Sequence, residues 1–93
     1  MFLDNKYTTW YFKIVEKSKN ENRCKNTGKY ESHHIIPKSL GGNNSKENLV
    51  FLTPREHFIL HCLLVKMTIG LEKRKMSLAL YRMKQSSDQP VKV

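Results

Sequence analysis

The chain has 93 residues, enough for one domain around one modest core. Hydrophobic residues make up 39% of it, ordinary for a globular fold and too many for a disordered chain. No apolar run approaches the ~20 residues that span a bilayer, and Met1-Phe2-Leu3-Asp4 does not open a secretory signal, so the expected location is the cytoplasm. Seventeen Lys and Arg against eight Asp and Glu leave a formal charge of +9, the footprint of a polyanion binder, nucleic acid ahead of a membrane surface.

Tyr7, Trp10, Tyr11, Ile14 and Val15 recur at the spacing of an amphipathic helix, expected from Asn5 to Lys17 with the stripe in the core. Ser18 to Lys29 is polar and reads as a basic loop with a turn near Asn26-Thr27-Gly28. Tyr30 to Ile36 reads as a short strand closed by Pro37, and Gly41-Gly42-Asn43-Asn44 as a long flexible loop. Leu49 to Leu52 is an apolar run of strand length. Thr53-Pro54-Arg55-Glu56 then places Thr at an N-cap, Pro at N1 and Glu at N3, a capping box for a helix from Pro54 to about Thr68. A last helix is expected from Leu71 to about Lys84, with Met76, Ala79, Leu80 and Met83 on one face, and a frayed tail from Ser86 to Val93. The expected architecture is α+β. It is one domain over 1–93: helix and basic loop (1–29), strand–loop–strand–helix core (30–69), final helix and tail (70–93).

Two cysteines cannot build an all-cysteine zinc site, and nothing in the chain calls for an oxidising compartment. Cys62, in an apolar helical run, is expected as a small core residue, and Cys24, in a polar stretch, as an unoxidised thiol. The chemistry lies in the histidines, all four of which fall between positions 33 and 61. On a helix His57 and His61 lie one turn apart on one face, close enough to chelate one ion, although such a pair alone is also common at a solvated surface. His33 and His34 are adjacent on a strand and point to opposite sides. If one of them joins His57 and His61 around a metal, the other is left to act as a base on water. Phosphodiester hydrolysis needs that combination, a base of suitable pKa and a Lewis acid with open positions. Basic residues lie on both sides of this balanced centre, Lys13 to Lys29 before it and Lys66 to Lys84 after it.

The stretches His33-His34-Ile35-Ile36-Pro37-Lys38-Ser39-Leu40-Gly41-Gly42, Asn48-Leu49-Val50 and Thr53-Pro54-Arg55-Glu56-His57-Phe58-Ile59-Leu60-His61 resemble the HNH endonucleases. The ligand pattern is that of colicin DNases, and the rest looks like phage-encoded, free-standing HNH enzymes, including homing types. The resemblance covers about a third of the chain. It implies a ββα-metal (His-Me finger) motif flanked by an N-terminal and a C-terminal helix, and cleavage of DNA through one divalent metal. It further implies His34 as general base, His33, His57 and His61 as metal ligands, Asn48 as the loop-tethering residue that orients the base, and Glu31 as a buttress. The bland alternatives are a surface carboxylate for Glu31 and a loop-end turn residue for Asn48. Many relatives carry Asp where His33 stands, so an all-histidine set suits Zn2+, Ni2+ or Mn2+ better than Mg2+. Many also have Cys-x-x-Cys zinc knuckles, absent here. Arg23 and Arg55 are candidates for holding the scissile phosphate, and Lys25, Lys73 and Arg74 for gripping the DNA backbone. Such contacts add affinity without specificity. A single metal site implies nicking, with double-strand breaks needing a homodimer or two visits. A non-catalytic nucleic-acid-binding module with a structural metal, and a metal-free basic partner-binding protein, are the readings to be weighed against this one.

Overall fold

The computed structural model describes residues 1–24 and 28–87. Among them the chain order is α1 (Lys6–Asn20), β1 (Glu31–His34), two single 3-10 turns (Lys38–Leu40 and Lys46–Asn48), β2 (Leu49–Leu52), α2 (Pro54–Lys66) and α3 (Gly70–Ser87). This is the α+β arrangement expected, a ββα unit between two helices. α1 runs three residues further than its apolar stripe suggested, because Ser18 continues the inward face and is itself buried. Tyr11 and Val15 are in the core and Tyr7 and Ile14 pack at its edge, but Trp10 is 47% exposed and is not a core residue. Its ring meets Tyr7 edge-on and lies under Lys6 instead. Asn5 caps α1 by accepting from the Thr8 amide, and its own amide donates to the Lys66 carbonyl at the end of α2.

β1 and β2 form a two-stranded antiparallel sheet in which His33 stands opposite Val50 and His34 opposite Leu49. Residues directly opposite share a face, so Glu31 and His33 lie with Val50 and Leu52, where His33 is buried and Glu31 stays exposed at the strand start, while His34 lies on the other face with Leu49. β1 is shorter than the apolar pattern of Tyr30–Ile36 implied; Ile35 and Ile36 instead bond to Asn48 at the end of the loop.

The loop joining the strands is less free than its glycines suggest. A Cβ at Gly42 would stand 1.7 Å from the Ile36 carbonyl oxygen and 2.9 Å from Asn48 Nδ2, so only glycine allows the chain to pass there. Asn48 closes the loop: Oδ1 accepts from the Ile36 amide at 2.8 Å, and Nδ2 donates to the carbonyls of Ile36 and Asn43.

The capping box at the start of α2 forms as its residues require, with the Glu56 amide donating to Thr53 Oγ1 and the Thr53 amide to Glu56 Oε1. Such a cap contributes about 1 kcal/mol and sets where the helix begins, hence the direction in which His57 and His61 project. α2 buries Leu60 and Leu64 against β2 and α1, and Met67, Thr68 and Met76 close the junction with α3. α3 extends through Ser87, so the tail expected from Ser86 begins in helix. Cys62 is only partly buried and Cys24 is exposed. No described helix is long and apolar enough to cross a membrane.

Candidate active site

Three imidazoles converge where β1 meets α2. The ring centroids of His33, His57 and His61 lie 5.1, 5.2 and 4.9 Å apart pairwise, each pair edge-on. One nitrogen from each lies within 4.8 Å of the others. The sheet register brings His33 inward and the helical repeat aligns the other two; neither element alone makes the cluster.

Hydrogen bonds assign the tautomers. Glu31 Oε1 accepts from His57 Nδ1 at 2.8 Å, which leaves His57 Nε2 as its unprotonated nitrogen. Tyr11 Oη lies 2.7 Å from both the Ile35 carbonyl and His33 Nε2. A phenol has one proton and a carbonyl can only accept. Tyr11 therefore donates to Ile35 and accepts from His33 Nε2–H, leaving His33 Nδ1 with the free lone pair. Tyr11 is fully buried, and desolvation pushes its hydroxyl far above the usual phenol range, so it stays neutral.

The donor set fits a divalent transition metal. His33 is 3% exposed, and burial first, then the neighbouring His61, His57 and His34, push its pKa down to about 2. Burial and His57 push His61 down to about 4. Both rings are thus neutral at physiological pH, as ligation requires. His61 Nδ1 is sealed from solvent and has no hydrogen-bond partner among the described residues. Stranding such a nitrogen costs about 1–3 kcal/mol, a cost relieved when a cation takes the lone pair. Carboxylate and phenol partners behind His57 and His33 are the usual outer support of metal-binding imidazoles.

His34 points off the opposite face of β1, yet a cleft of about 360 Å³ is lined by all four histidines together with Lys38 and Ser39. His34 Nε2 lies 2.7 Å from Asn44 Oδ1, an oxygen that only accepts, so Nε2 carries the proton and Nδ1 is free to receive one. Asn44 belongs to the loop that Asn48 ties down through Asn43.

The basic candidates separate. Arg23 is committed internally: its side chain is 5% exposed, pairs with Glu56 and Glu21, donates to the Phe51 carbonyl and sits 4.9 Å over the Tyr30 ring. Glu56 and Glu21 raise its pKa further, and Arg23 holds the Glu56 carboxyl down at about 2. Arg23 thus clamps the capped end of α2 and is not presented to a ligand. Lys25 lies outside the described residues. Lys73 and Arg74 are exposed on the first half of α3 and line neither the four-histidine cleft nor a second one of about 760 Å³ beside it, between the start of α2 and the second half of α3. Arg55 lines the second of those clefts, as does Arg82, which sequence reasoning did not single out. Tyr11 was read only as a core residue and Asn44 only as part of a loop; no local pattern marks either.

Comparison with known proteins agrees with this geometry. The family model described as HNH endonuclease matches residues 22–61. "Probable mobile endonuclease B" of Enterobacteria phage T4 is 43% identical over 84 residues, 88% of this chain and 31% of the relative. "Probable mobile endonuclease D" of the same phage is 47% identical over 62 residues, 64% of this chain and 24% of the relative. "Probable mobile endonuclease E" is 64% identical over 36 residues, 39% of this chain and 26% of the relative. The chain thus spans less than a third of the length of these curated relatives. No solved structure matches it. With its ββα unit, its converging histidines and these phage relatives, the chain belongs, through residues 22–61, to the HNH endonuclease family.

Proposed function

We propose that the chain is a metal-dependent endonuclease that hydrolyses DNA phosphodiester bonds, one strand at a time, in the cytoplasm of a phage's bacterial host. The observation that carries this reading is the cleft in which a three-imidazole cluster and a fourth, separately oriented imidazole face the same space. The T4 relatives named as mobile endonucleases support a nucleic-acid substrate and a phage setting.

His33, His57 and His61 would hold one divalent ion, of which Zn2+, Ni2+ and Mn2+ suit three neutral imidazoles better than Mg2+. When bound, the ion supplies Lewis-acid polarisation of the scissile phosphate and charge neutralisation at the departing 3′ oxygen. The remaining work belongs to the chain. His34 Nδ1 takes a proton from a water aligned with phosphorus; the water oxygen bonds to phosphorus as the bond to O3′ breaks, and the departing O3′ takes a proton from solvent, leaving 5′-phosphate and 3′-hydroxyl ends. Asn44 Oδ1 holds the tautomer that makes Nδ1 the base and bears the Nε2–H of the imidazolium once formed. Asn48 acts through Asn44, by fixing the loop that carries it. Glu31 and Tyr11 orient the ligands His57 and His33.

The test is nicking of supercoiled plasmid with Zn2+, Ni2+, Mn2+ or Mg2+ by the wild-type chain and by His34→Ala. Loss of a general base costs about 10²–10⁴-fold. Undiminished nicking by the variant would refute the assignment of His34. Tight DNA binding without nicking under any metal would make the metal structural.

A further inference from the structure

Beside the four-histidine cleft lies a larger groove of about 760 Å³, between the start of α2 and the second half of α3. We propose that it seats a nucleobase pulled out of the stack next to the scissile phosphate, so that the chain favours DNA carrying an unpaired nucleotide; this rests on the nuclease reading above. Three observations carry it.

The first is continuity. His57, His61 and Ala79 line both this groove and the four-histidine cleft, so a strand whose phosphate lies at the histidines extends directly into the groove. The second is chemistry. Pro54, Phe58 and Met83 give the groove a largely apolar lining, which offers a phosphate nothing and a flat heterocycle a stacking surface. Phe58 is 39% exposed, one residue from a candidate metal ligand. Every base has a π-face, so a phenyl ring takes any of them.

The third is charge. Arg55 on α2 and Arg82 on α3 give each helical wall an exposed cation, and neither forms an ion pair with a described residue. Among the described residues Glu31 is the one acidic group lining the groove, and its Oε1 is bonded to His57 Nδ1. Two unneutralised guanidinium groups around an apolar floor suit a base flanked by its own phosphates. They do not suit a second copy of a chain whose formal charge is +9.

The experiment measures binding of the full chain, in chelator, to a perfect DNA duplex and to the same duplex with a single-nucleotide bulge, by fluorescence anisotropy. The wild-type chain should bind the bulged duplex more tightly. Phe58→Ala should erase that preference, a loss of roughly tenfold on the bulged DNA. Phe58→Trp, which keeps a stacking surface, should retain it, and Arg82→Glu should weaken both complexes. Equal binding of the two duplexes by the wild-type chain, or an undiminished preference in Phe58→Ala, would overturn the proposal. So would a change in sedimentation mass in that variant with no change in DNA affinity, which would assign the groove to a second copy. Parallel nicking assays separate the two readings: a chain that prefers bulged DNA but nicks nothing under any metal retains the groove and loses the nuclease, and one that nicks but binds both duplexes alike does the reverse.

Discussion

Replacing Tyr11 by Phe removes one oxygen and strands two buried polar groups, the Ile35 carbonyl and the Nε2–H of His33, each now 2.7 Å from the hydroxyl. The ring still fills its place, so no cavity term enters. An unmatched buried group costs about 1–3 kcal/mol, and the pair should lower stability by about 2–6 kcal/mol, a large share of the 5–15 kcal/mol typical of small domains. His33 also loses the partner that selects its tautomer, and outer-partner losses of this kind typically cost about 10–100-fold in metal affinity. Urea unfolding in chelator measures the first quantity, competition for Zn2+ or Ni2+ with a chromophoric chelator the second, and long-range 15N–1H NMR of the wild-type imidazoles reports where the His33 proton resides. Wild-type metal affinity in Tyr11→Phe would reduce Tyr11 to a packing residue. A proton on His33 Nδ1 in the metal-free wild-type chain would refute the tautomer argument outright.

Asn44→Ala should lower the nicking rate while leaving metal affinity unchanged, because only the His34 Nε2–H loses its acceptor; equal rates for the two proteins would remove Asn44 from the reaction. Glu31→Gln should weaken metal binding by about tenfold or more, since an amide holds the His57 Nδ1–H less strongly than a carboxylate; unchanged affinity in the same chelator competition would count against it. Arg23→Ala leaves Glu56 without its guanidinium and the α2 start without its clamp, and should cost about 1.5–3 kcal/mol in urea unfolding; retained stability with weakened DNA binding would restore Arg23 as a DNA contact. The metal-free protein should be acid-sensitive. Burial holds the folded pKa of His33 at about 2 and of His61 at about 4, below the ordinary 6.5, so the unfolded chain takes up protons first. Their contribution is complete above pH 6.5 and falls as pH drops through 4 and on toward 2. A melting temperature in chelator that stays constant from pH 7 to pH 4 would contradict that.

The sequence by itself determined the local pieces. Thr53, Pro54 and Glu56 specify a helix start because each satisfies or forgoes a particular backbone amide of the first turn, and α2 begins where they say. Strand alternation sends His33 and His34 to opposite faces, and the helical repeat pairs His57 with His61, so spacing alone said that one strand histidine could join the helical pair; the sheet register is what turns His33 toward it. Periodicity, however, reports which face a residue occupies and not what that face meets. Docking of α1 against the sheet decided that the Tyr11 hydroxyl reaches His33 and that Trp10 stays at the surface. The fold of the loop brought Asn44 to His34, and the return of the chain after α1 spent Arg23 on Glu56. The position of α3 beside α2 set Arg82 across from Arg55. Each of these joins residues from different elements, through directional bonds or shared walls whose partners are chosen only when the elements pack.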